Sequence, residues 1–147
     1  MIINNSQYEQ DFYAWTQQQA QLLRAGQLTD ADLEHLAEEI ETLGASERRE
    51  LESRLKVLLQ HLLKWQYQPE QRSSGWSGTI DEQRDQLDSL LRQSPSLRRL
   101  VNQYLSYAYP KARRAAARET GLTQTSFPDV CPYTEHKILD ADFWPDA

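Results

Sequence analysis

Four residues of this chain that can move a proton or hold a charge fall beside apolar stripes: Glu38, Glu39, His61 and Arg84. Glu38 and Glu39 flank the run from Leu36 to Leu43. His61 lies one turn before Trp65 in the most regular apolar repeat of the chain, and Arg84 sits between Ile80 and Leu87 where the stripe of another helix would carry an apolar side chain. Gathered in one pocket, an imidazole oriented by a carboxylate would act as general acid or base beside a guanidinium, the outline of a small hydrolase. The plainer reading pairs Arg84 with Glu38 or Glu39 and leaves His61 hydrogen-bonded at the core edge, which fixes helix register. It is favoured, because structural networks also gather charged groups.

Other chemistries have thinner support. Glu34, His35, Glu38 and Glu39 lie within two turns, and His61 could join them. A di-iron bundle, however, draws Glu-x-x-His pairs from two helices, and none is found on the core helices. One cysteine, Cys131, and three scattered histidines give no zinc spacing. No metal and no cofactor is therefore expected. Cys131, between Val130 and Pro132, has no neighbouring cation or helix start to lower its pKa and reads as a packed thiol.

A basic helix carries Arg98, Arg99, Lys111, Arg113, Arg114 and Arg118, interleaved with Tyr104, Tyr107 and Tyr109. Cations beside rings suit bases and phosphates. Lys111, Arg113, Arg114 and Arg118 would be the contacts of a nucleic-acid-associated protein of the defence or toxin–antitoxin kind. Against this, the net charge is -6, and cations near a helix C-terminus also satisfy its dipole. Of the four tryptophans, Trp15 and Trp65 fall at core positions. Trp76 and Trp144 are the candidates for contact with a partner.

The elements that position these residues are helical. A first helix from about Ser6 carries Tyr8, Phe12, Trp15, Leu22 and Leu23 and stops at Gly26. Thr29 reads as the cap of a second, with the stripe Leu33, Leu36, Ala37, Ile40 and Leu43. Gly44 either ends it, with Ser46 capping the next, or marks a kink in a longer helix. Leu51, Leu55, Leu58, Leu62 and Trp65 form the clearest stripe, ending before Pro69. A fourth helix, capped by Ser74 or Ser77, carries Trp76, Ile80, Leu87, Leu90 and Leu91. A fifth starts at Ser94-Pro95, bears a kink or break near Tyr109 ahead of Pro110, and ends at Gly121. Beyond Thr123 the aromatic-rich chain reads as an extended segment with a short helical turn from Thr134 to Leu139. The fold class is all-α: a bundle of about five helices, core 6–122, with a C-terminal wrap over 123–147, in one domain of 147 residues.

Composition agrees. Hydrophobic residues reach 39% and are periodic, which argues against disorder. A single cysteine allows no internal disulfide and fits a reducing compartment. The start of the chain lacks the basic and apolar regions of a signal peptide, and no apolar run approaches a membrane span. A soluble cytoplasmic protein without a membrane partner is expected.

Six blocks, in order, carry a resemblance: Tyr8 to Trp15, Leu36 to Gly44, His61 to Pro69, Ser94 to Leu97, Glu119 to Leu122, and Phe127 to Tyr133. Together they resemble family 29 of the domains of unknown function, which is bacterial and mostly cyanobacterial, over nearly the whole chain. The resemblance implies a small helical protein and brings no catalytic residue with it. With no complete catalytic signature, the leading expectation is a non-enzymatic module that binds another protein.

Overall fold

The computed structural model describes residues 5–146. Among them there are six α-helices and no strand: α1 (Asn5–Gln10), α2 (Phe12–Arg24), α3 (Leu33–Tyr67), α4 (Ser74–Gln93), α5 (Val101–Thr120) and α6 (Glu135–Leu139). Short 3-10 turns lie at Pro69–Gln71, Pro95–Leu100 and Gln124–Ser126. The all-α bundle is thus the observed architecture. Contacts divide the chain into two compact units, one ending at Ser46 and the other beginning at Glu47.

In the first unit the single expected helix is two. Asp11 separates them, and its carboxylate accepts the Ala14 N–H as the N-cap of α2. Gly26, at φ +75°, follows the end of α2, where a left-handed backbone suits glycine. Asp32, not Thr29, caps the next helix: its Oδ1 accepts the His35 N–H at 3.3 Å and its carbonyl accepts from Leu36. Gly44 neither ends nor splits that helix, which runs 35 residues without a break. A glycine inside a helix costs only about 1 kcal/mol, so the leucines beyond it carry the helix through.

The second unit holds the large core. Leu51, Leu55, Leu58, Leu59, Leu62 and Leu63 of α3 are fully buried against Ile80 and Leu87 of α4 and Val101, Ala108, Ala112 and Ala116 of α5. Ser73, rather than Ser74 or Ser77, caps α4 by accepting the Trp76 N–H. Ser94 makes no side-chain cap. Its hydroxyl donates to Glu47 Oε2 at 2.6 Å, and the chain turns through a 3-10 segment before α5. Pro110 does not interrupt α5. The carbonyl it deprives of a partner belongs to exposed Ser106, while alanines on the opposite face hold the helix in the core. Gly121, at φ +78°, closes α5.

The C-terminal wrap is as expected. Phe127, Tyr133 and Ile138 are buried in the core. Tyr133 donates its hydroxyl to Gln66 Oε1 at 2.7 Å, and Tyr109 donates to the Pro128 carbonyl at 2.5 Å. None of the described helices is long and apolar enough to cross a membrane.

Candidate functional site

The most concentrated polar chemistry of the chain is in the first unit, around Asp32. This carboxylate is 2% exposed and receives three donors. They are the indole N–H of Trp15 at 3.1 Å, the His35 backbone N–H, and His35 Nδ1 at 2.6 Å. Its own backbone N–H donates to Gln19 Oε1 at 2.7 Å, so α2 and the start of α3 are tied by both side chain and main chain. The Tyr8 ring stacks on His35, with centroids 3.9 Å apart, and meets Trp15 edge-on. The Tyr8 hydroxyl donates to Glu39.

The charges follow from this geometry. Burial alone would raise the Asp32 pKa, but the hydrogen bonds from His35 and Trp15 outweigh it and the net shift is downward. The bond to Asp32 raises His35, against a smaller lowering by desolvation. Tyr8 is pushed up to about 12, first by its bond to Glu39. The result is an imidazole and a carboxylate bonded to each other beneath a stacked phenol. Such a pair resembles an acid–base dyad, yet Asp32 is also the helix cap and every atom of its carboxylate is engaged in holding α2 on α3. It is a clamp.

What the clamp presents is the other face of α3. Leu33, Ile40 and Leu43 are 55%, 67% and 69% exposed, Ala37 of the same stripe and the neighbouring Gly44 are exposed too, and Leu36 is half-buried. Four of the five residues of the stripe expected to enter the core therefore face out. Phe12 and Leu23, expected on the buried side of the first helix, are likewise exposed, at 47% and 44%. His35 and Glu39 take the inward positions, so polar bonding and ring stacking replace aliphatic packing inside this small unit.

A family model described as "Domain of unknown function DUF29" matches residues 7–144. The chain belongs to the DUF29 family. No curated protein and no solved structure matches it.

In this DUF29 domain three of the four residues singled out for chemistry, Glu39, His61 and Arg84, take separate partners. Glu39 accepts from Tyr8 in the first unit, and Glu38 is exposed. In the second unit, His61 Nδ1 bonds the Val57 carbonyl at 2.9 Å, and burial lowers its pKa. Arg84, 4% exposed, donates from Nε to the Ile138 carbonyl at 2.9 Å and from Nη2 to the Lys137 carbonyl at 3.3 Å. These carbonyls belong to the last turn of α6, where a helix leaves acceptors unsatisfied. The guanidinium also lies 5.6 Å from the Trp144 ring. The ion pair expected between Arg84 and Glu38 or Glu39 is replaced by hydrogen bonds to these two carbonyls.

The basic helix of the DUF29 domain is partly neutralised. Lys111 pairs with Glu52 at 3.6 Å and Arg113 with Asp129 at 3.0 Å, whereas Arg114 and Arg118 are exposed. Trp144 packs on Trp65 at 4.8 Å and Trp76 lies under Lys64 at 4.6 Å, so both rings have intramolecular neighbours. Among the described residues no three His, Cys, Asp or Glu side chains are arranged to hold a metal ion. An open groove of about 1150 Å³ in the second unit is lined by Leu105, Tyr109, Cys131, Tyr133 and His136. Burial raises the pKa of Cys131 and of both tyrosines, Tyr109 to about 12, so the groove offers no activated nucleophile among these groups.

The sequence reading did not single out the Asp32–His35 pair. Its signal was an acid and a histidine three apart at a helix start, a spacing that places side chains on one face. The Tyr8 stack had no comparable signal.

Proposed function

We propose that this domain is a non-enzymatic protein–protein interaction module, and that the first half of α3 is its docking face. One observation carries the reading: Leu33, Ile40 and Leu43 line up on a single helix face and are each more than half exposed. Covering each of them would contribute about 1–2 kcal/mol, which is ample reason for an association. The clamp supports the same reading. Its rigid bonds on the inward face of α3 hold the outward stripe in place before a partner arrives, which lowers the cost of binding. Asp32, His35, His61 and Arg84, whose pKa values are displaced, are bonded to elements of the fold.

Ile40→Glu tests this. The side chain is exposed, so the fold is expected to lose less than about 0.5 kcal/mol. In native lysate, the unaltered chain is expected to sediment in a complex larger than itself and the variant to sediment alone. Identical sedimentation of the two as monomers would contradict the proposal.

A further inference from the structure

We infer that the docking face takes a basic amphipathic helix from another protein, an inference that rests on the interaction reading above. The apolar stripe has an acidic border. Glu34, Glu38 and Glu41, spaced by four and three, form a continuous row along one edge of the helix. All three are exposed, and none makes a side-chain hydrogen bond or ion pair among the described residues. This contrasts with Glu39 on the inward side, which is engaged by Tyr8. A row of carboxylates without a hydrogen-bonded or ion-paired partner, beside an uncovered apolar stripe, is complementary to lysines or arginines flanking an apolar stripe on the incoming chain.

The shape of the stripe fits a helix. Leu33, Ala37, Ile40 and Gly44 recur in steps of four, three and four, the spacing along which two helices pack. A Cβ built on Gly44 would meet no atom within 4 Å, so the described fold does not itself require a glycine there. Close approach of a partner backbone would.

A second copy of the chain fits less well. Laying two stripes antiparallel, with Leu33 against Leu43 and Leu36 against Ile40, sets one acidic row against the other. Sliding the copies until Glu38 meets Arg48 brings Ile40 level with Ser46 and Leu33 level with Ser53, so that of the three exposed residues Leu43 alone keeps an apolar partner. The same acidic row repels an anionic membrane surface or a nucleic acid.

The probe is a synthetic peptide of three heptads with leucine and isoleucine at the apolar positions and lysine at the flanking ones. A twin carries glutamate in place of lysine. Binding to the full chain, followed by fluorescence anisotropy, is expected to favour the lysine peptide by about tenfold or more, with the preference fading at about 0.5 M salt. Ile40→Glu is expected to abolish binding. Replacing Glu34, Glu38 and Glu41 together by Gln is expected to remove the preference while leaving apolar binding. Equal binding of the twins, or a glutamate preference, would overturn the inference and leave the interaction reading intact. So would self-association in sedimentation equilibrium that Ile40→Glu abolishes. If neither peptide binds and the lysate complex is also absent, both readings fail together.

Discussion

Asp32→Ala removes the group on which the first unit depends, and the loss can be worked from its bonds. The cap on the His35 N–H contributes about 1 kcal/mol. The Trp15 indole, 2% exposed, would be left with a buried N–H and no acceptor, which costs about 1–3 kcal/mol. Together these predict a local loss of about 2–4 kcal/mol. Asp32→Asn keeps the shape and one acceptor oxygen, so about half that loss is expected. Hydrogen exchange under native conditions reads the effect directly: a loss near 3 kcal/mol speeds exchange of the α2 amides and the first turns of α3 by roughly 100-fold. Amides of α5 provide the internal reference. Acceleration below about threefold in the Ala variant would refute the clamp. An Asn variant as damaged as the Ala one would show that charge, rather than cap and acceptor together, holds the unit.

The remaining predictions concern Arg84, pH and Tyr133. Arg84→Ala leaves the Lys137 and Ile138 carbonyls without their donor and is expected to destabilise the second unit by about 3–5 kcal/mol in urea denaturation, with Arg84→Met milder because its stem still packs; a cost below about 1 kcal/mol for Ala would contradict its structural role. The two histidines shift in opposite directions, so the regions around them should respond oppositely to pH. The raised His35 contributes stability that is complete below about pH 6.5 and lost as pH rises through its folded value, while the lowered Asp32 contributes above the usual carboxylate range and loses it as pH falls through its own. The lowered His61 contributes above about pH 6.5 and loses it toward acid, so from pH 7.5 to about 5.5 exchange corrected for intrinsic rates should slow near His35 and quicken near His61; both moving together would be contrary. Tyr133→Phe removes the donor to Gln66 and is expected to cost about 1–2 kcal/mol by thermal melting, with no measurable change as the outcome that counts against it.

Much of the second unit is legible in the sequence, because one physical rule decides it. The repeat Leu51, Leu55, Leu58, Leu62 puts four large apolar groups on one face of a helix, and all four are fully buried. Gly121 and the aromatic run after it are as direct, since a positive φ and a dense set of rings each leave few alternatives. The first unit is harder to read. Periodicity tells which face of α3 is apolar, but Leu33, Ile40 and Leu43 show that it does not tell whether anything covers that face. Thr29 and Asp32 can both cap a helix, and Asp32 is further held by Trp15 and Gln19, contributed by another helix. Arg84 sat in an apolar stripe for a reason placed 54 residues later, at the Ile138 carbonyl. No local rule connects the two.

The most direct test of the docking face is a photo-crosslinking amino acid placed at Ile40 of the full chain in its own cells, with the same group at Asp85, an exposed position on α4, as the control. A discrete crosslinked protein band is expected from Ile40, removed by Leu43→Glu, and none of that band from Asp85. No crosslink from Ile40, or the same band from both positions, would contradict it.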